Sequence, residues 1–147
     1  MDILQRINHV IASEAAAISS IKVDETYPQV VELLVNHSGK VITTGIGKAG
    51  HIANKFAATL SSTGTPSVFL HPAEAAHGDL GLVSPNDILF AFSTSGKSRE
   101  VLEILELSRH LGVSHIVGVT SHPDSELRQH CELVLDMGNH QEACPLD

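Results

Sequence analysis

Five short apolar runs, separated by helix-length segments, constrain this chain more than any other feature. The runs are KVITTG (40–45), PSVFLH (66–71), DILFAFS (87–93), SHIVGVT (114–120) and CELVLDM (131–137). Each is strand-length, and together they are rich in β-branched residues and Phe. Between them lie AGHIANKFAATLSSTG (49–64), KSREVLEILELSRHLG (97–112) and DSELRQH (124–130), which read as helices. Gly64 and Gly112 stand where the two longer helices stop. Strands that are near-continuously apolar have two buried faces, as expected where helices cover both sides of the sheet. The fold expected is α/β: a five-stranded parallel sheet sandwiched between helices, flavodoxin-like or Rossmann-like, with extra N-terminal helices.

Those extra helices come from the first 36 residues. Ile3, Leu4, Ile7, Val10, Ile11 and Ile18 recur at helical spacing, which predicts a helix over 2–21. A second helix is predicted over 24–36, where Pro28 is compatible only with the first turn. At 147 residues with 42% hydrophobic residues, the chain has one domain's worth of core-forming material. Its formal charge of −8, from 9 basic and 17 acidic residues, argues against nucleic acid as a partner. No apolar run reaches the roughly 18 residues of a membrane span, and no signal peptide opens the chain, so no membrane partner and a cytoplasmic location are expected. Cys131 and Cys144 form no C-x-x-C pair and read as reduced thiols.

In parallel sheets, ligands bind beyond the carboxyl ends of the strands. That rule selects the loops GIGKAG (45–50), HPAEAAHGD (71–79) and STSGKS (93–98). The third offers hydroxyls from Ser93, Thr94, Ser95 and Ser98, a permissive Gly96, and a helix start whose free N–H groups suit a phosphate. Extended to AFSTSGKS (91–98), it also satisfies a relaxed nucleotide P-loop pattern. A P-loop opens with Gly so that the backbone can wrap phosphates. Here that place holds Ala91, inside the expected strand, with bulky Phe92 next to it, so a P-loop-type nucleotide hydrolase is only a remote alternative. The first loop carries Gly45, Gly47 and Gly50 around Lys48, a cation that could meet a phosphorylated or polyhydroxy ligand. The second gathers His71, Glu74, His77 and Asp79. Substrate hydrogen bonding by His77 and packing by His71 fit this spacing better than a closed metal site.

Taken together, G-x-G-K-x-G-H, S-T-G-T-P, H-P-A-E-A-x-H-G-D-L-G, STSGKSRE and E-A-C-P-L, in this order, closely resemble the sugar isomerase (SIS) domain family, in its arabinose 5-phosphate isomerase branch. The resemblance runs over about residues 30–146. It implies a five-stranded SIS fold, with residues 1–38 as a helical segment and 39–147 as the phosphosugar-binding domain. It implies interconversion of arabinose 5-phosphate and ribulose 5-phosphate through an enediol, serving lipopolysaccharide-sugar or capsule synthesis, with no cofactor required. Lys48, Glu100 and Glu142 take the catalytic places. Gly47, Gly64, Thr65, His77, Ser93, Thr94, Ser95 and Ser98 take the substrate-binding ones, and His71 that of an inhibitory zinc ligand. Members of this family assemble as dimers of dimers with shared sites, so a homotetramer or homodimer is implied. The family continues past E-A-C-P-L with a closing helix and a further catalytic histidine, often followed by cystathionine-β-synthase-type regulatory domains. This chain stops at Asp147, so a domain incomplete at its C-terminus is expected, with no regulatory domain. A non-catalytic phosphosugar sensor on the same fold is the alternative reading.

Overall fold

The structure, a computed structural model, describes residues 2–140 and 142–144. Helices α1 (Ile3–Ser19) and α2 (Thr26–Asn36) come first. Asp2 caps α1 by accepting from the Leu4 N–H at 3.3 Å. Asp24 accepts from the Thr26 N–H at 2.9 Å, so α2 begins at Thr26, two residues later than the sequence predicts, and Pro28 falls in its first turn.

The rest alternates: β1 (Val41–Gly45), α3 (Gly47–Ser62), β2 (Ser67–Phe69), α4 (Pro72–Ala75), β3 (Ile88–Phe92), α5 (Arg99–His110), β4 (His115–Thr120), α6 (Leu127–His130) and β5 (Leu133–Asp136). The five strands form one parallel sheet in the order β2-β1-β3-β4-β5, as expected. Two elements were not foreseen. Helix α4 and a 3₁₀ turn at Asp79–Leu82 occupy the segment read as a long ligand loop. Four residues are too few to show helical periodicity, but Pro72 in the first turn and the His71 side chain as cap suffice to start α4.

Successive strand residues point to opposite faces, and both faces are buried. On one side Ile42, Leu89 and Ile116 pack with Val101 and Leu105 of α5 and Leu127 of α6. On the other, Val41, Phe90 and Val117 pack with Val30 of α2 and Leu60 of α3. Phe56 of α3 meets Phe90 and Phe92 at ring-centroid distances of 5.3 and 5.6 Å. Both cysteines are free, and burial pushes the Cys131 thiol up to about 12 against the opposing pull of Arg109 and Arg128.

At the edge where the strands begin, the buried Asp87 carboxylate ties β1 to β3. It accepts from the Lys40 ammonium at 2.6 Å, the Lys40 N–H at 3.0 Å and the Ser84 N–H at 2.7 Å. Helix α1 is the opposite case. None of its described residues is buried, and Ile3, Leu4, Ile7, Ile11 and Ile18 stay exposed. No helix among the described residues is long and apolar enough to cross a membrane.

Candidate functional site

The strand order reverses between β1 and β3, which pair in register with Gly45 opposite Phe92. From their carboxyl ends the chain leaves in opposite directions, opening the crevice where such sheets bind ligands. The loop after β1 is short because α3 starts at once. A Cβ on Gly50 would come within 2.7 Å of the Gly45 carbonyl oxygen, so only glycine lets the first turn of α3 sit on the strand end. Lys48 in that first turn therefore stands directly over the crevice.

The loop after β3 is built around its own hydroxyls. Ser93, 4% exposed, accepts from the Gly96 N–H at 3.1 Å, and its Oγ lies 3.2 Å from that of Ser98. The Ser95 hydroxyl accepts from the Lys97 N–H at 3.3 Å, and Ser95 is exposed. The Thr94 carbonyl accepts from the Ser121 N–H and the Thr120 hydroxyl, both at 3.1 Å, which ties the loop to the end of β4. Gly96 has φ +63°, and its carbonyl accepts from the Leu127 N–H at 3.0 Å. Together with the extended Ser98, this keeps residues 97 and 98 out of the helix, so α5 begins at Arg99 rather than Lys97.

A Cβ on Gly96 would fall 2.3 Å from that of Ser125. Gly96→Ala is expected to destabilise the protein by about 1–3 kcal/mol in urea unfolding, by overpacking and left-handed strain.

A cleft of about 670 Å³ opens above these loops. Lys48 and Ile52 of α3, Thr94 and Ser121 beyond β3 and β4, Glu142 beyond β5, and Glu14 of α1 line it. The Lys48 ammonium lies 3.9 Å from the Glu142 carboxylate, with the two side chains 94% and 56% exposed. So exposed a pair adds little to stability and is free to trade its partner for a ligand. An apolar pocket of about 410 Å³ adjoins the cleft, sharing Thr94 and Ser121 and lined by Phe56, Phe92, Leu135 and Met137. At the cleft's rim, the Gly138 N–H holds the Asp136 carboxyl below its usual range, with further help from Arg128.

The structure thus gathers Lys48, Thr94 and Glu142, with Gly47 at the start of α3 and Ser93, Ser95 and Ser98 in the adjoining loop. Other sequence-predicted residues lie apart in this single chain. Glu100 is exposed in the first turn of α5 and His77 is exposed beyond α4; neither lines the cleft. Gly64 and Thr65 follow the far end of α3, whose 16 residues separate them from Lys48 by about 24 Å.

His71 accepts from the Ala73 N–H at 3.2 Å through Nδ1, and its ring stands edge-on to Phe69. That leaves Nε2 as its one open metal donor. No group of three or more His, Cys, Asp or Glu placed to hold a metal occurs among the described residues.

Sequence reasoning did not single out Ser121 or Glu14. The strand-end rule, applied to the fourth strand, would have found Ser121. Nothing in the local sequence marks Glu14, because α1 reaches the cleft only through tertiary placement.

The arabinose 5-phosphate isomerase KdsD of Pseudomonas aeruginosa is 40% identical over all of this chain and 45% of its own length, so the chain spans about half of that relative. Among solved structures, a candidate phosphosugar isomerase involved in capsule formation from Bacteroides fragilis superposes with a TM-score of 0.95 at 41% identity, over 99% of this chain and 78% of that one. A protein of Escherichia coli solved in complex with arabinose 5-phosphate superposes with a TM-score of 0.90 at 34% identity, over 99% of this chain and 80% of that one. The SIS domain model matches residues 34–145, which takes in β1 to β5 and every loop of the crevice, and the chain belongs to the SIS domain family.

Proposed function

We propose that this chain is the phosphosugar-binding and isomerising part of an aldose–ketose isomerase that interconverts arabinose 5-phosphate and ribulose 5-phosphate. The observation that carries this reading is the exposed Lys48–Glu142 pair facing the hydroxyl loop across one cleft. The named activity of the relatives supports the choice of sugar.

In this reading the phosphate sits on the 93–98 loop, held by Ser95, by Thr94 and by the N–H groups that open α5. That contact fixes the sugar's far end and positions the reacting carbons. The Glu142 carboxylate takes the proton from C2 of the aldose, and the electron pair moves into the C1–C2 bond as the C1 carbonyl oxygen gains charge. The Lys48 ammonium stabilises that enediolate oxygen. Glu142 then returns the proton to C1, while the Lys48 ammonium gives a proton to O1 and regains one from O2, leaving the ketose. No group beyond the chain's own residues is needed to balance this proton transfer. Gly64, Thr65 and His77 reach a sugar only in a homo-oligomer, where a second copy brings them to the cleft. A cytoplasmic location suits a substrate that is a phosphorylated sugar.

Incubation with arabinose 5-phosphate, followed by detection of ribulose 5-phosphate, tests the reading. Formation of the ketose supports it. Saturable binding without turnover replaces it with a sensor, and phosphate release from ATP that depends on Lys97 replaces it with a nucleotide hydrolase. The last outcome runs against the geometry, since Ala91 and Phe92 belong to β3 and Ala91 is wholly buried.

The loop makes a sharper expectation. Ser95→Ala should weaken arabinose 5-phosphate binding about tenfold or more, the loss of one hydrogen bond to a charged group. Lys97→Ala, which removes an exposed charge, should cost no more than about fivefold. Calorimetric titration of both variants decides the order.

A further inference from the structure

Glu142 sits on a strap, described at residues 137–140 and 142–144, that follows β5 and lies along α1. Its first half is tied to the body. The Met137 N–H donates to the Thr120 carbonyl at 2.9 Å, and the Gly138 N–H to the Asp136 carboxylate at 2.8 Å. His140 lies 2.7 Å from the Met137 carbonyl through Nε2, and 3.4 Å from the Ser20 hydroxyl through Nδ1.

Beyond His140 the strap has a single hydrogen bond to the body among the described residues, besides the loose Lys48–Glu142 pair. The Arg6 guanidinium donates to the carbonyl of Ala143, the residue after Glu142. Arg6 and Ser20 are 14 residues apart, about 21 Å along the helix, so α1 receives the strap near both of its ends. Between them the two elements enclose a groove of about 550 Å³ whose α1 wall includes Ser13, Ala16 and Ala17. These small side chains leave the groove open, so hydrogen bonds rather than packing locate the strap there.

The geometry points to Arg6 as a positioning residue for Glu142. The Glu142 side chain is 56% exposed and has three rotatable bonds, so its own surroundings do not fix it. What fixes it is the backbone beneath it, and Arg6 holds that backbone one residue away. A displacement of about 1 Å in a reacting group can cost on the order of a hundredfold in rate. Arg6 does not line the Lys48 cleft; it acts through the Ala143 peptide. The inference rests on the reading that Glu142 moves the proton, but the clamp itself can be read without turnover.

The test compares the full chain with Arg6→Met and Arg6→Lys. Met keeps the aliphatic stem and the helix propensity while removing the guanidinium. Three quantities are measured: arabinose 5-phosphate kinetics, hydrogen exchange of the Ala143 and Cys144 amides, and the alkylation rate of the exposed Cys144 thiol. Arg6→Met is expected to lower kcat about tenfold to a hundredfold with KM within about twofold, and to speed both strap exchange and alkylation several-fold. Arg6→Lys, which restores one donor, should recover part of each. Unchanged kcat with unchanged strap exchange would overturn the proposal, as would faster exchange with no change in kcat. If the unsubstituted protein turns over no sugar, the isomerase reading fails. Strap exchange in Arg6→Met then decides the clamp alone, and no acceleration would refute it.

Discussion

Glu142→Gln is expected to lower the turnover of arabinose 5-phosphate about a hundred- to ten-thousandfold, the range spanned by loss of a general base. Gln keeps the size and a carbonyl oxygen but cannot take a proton from C2. Binding should survive, because the phosphate contacts lie on the 93–98 loop rather than on the strap. The Lys48 ammonium, 3.9 Å away in the parent protein, loses only an exposed partner, so the melting temperature should hardly move. Steady-state kinetics, calorimetric binding and thermal melting on one preparation separate these effects. Turnover retained within about threefold would remove Glu142 as the base and direct attention to Glu100.

Asp87→Ala should produce the largest loss of stability, about 3 kcal/mol. Asp87 is 2% exposed and accepts three hydrogen bonds, two from backbone N–H groups and one from the Lys40 ammonium. Removing one member of a buried ion pair costs about 3–5 kcal/mol. The low end applies because the Lys40 side chain keeps 29% of its exposure and can turn to water. The Lys40 and Ser84 N–H groups lose their charged acceptor at the same time. In a chain of this length about 3 kcal/mol corresponds to a fall of roughly 10 °C in melting temperature. Urea unfolding gives the free energy directly, and a loss under about 1 kcal/mol would show that water fills the vacated site.

The architecture was legible because the strands are near-continuously apolar. KVITTG and DILFAFS cannot be surface strands, and a sheet buried on both faces leaves few alternatives. Element boundaries were less legible, since they depend on caps. Asp24 and Gly96 each shift a helix start by two residues through bonds that periodicity does not encode. Helix α4 escaped notice for the same reason: its signal is local and only four residues long.

In the site, topology alone selected the Lys48 and Ser93–Ser98 loops. Glu142 came from likeness to a family, because nothing in QEACPL marks a carboxylate that will reach a cleft. Arg6 and Glu14 stayed hidden. The bond from Arg6 to Ala143 spans 137 positions of sequence, beyond the reach of any local pattern.

Strand β3 carries the Asp87 junction immediately before its first residue and the hydroxyl loop immediately after its last. Its five residues set the two about 17 Å apart. Perturbations at that separation add with little cross-talk. The strand therefore works as an insulator between two selective pressures. A lineage can drift toward another ligand at one rim without unsettling the fold, and it can harden the other rim against heat without disturbing the cleft.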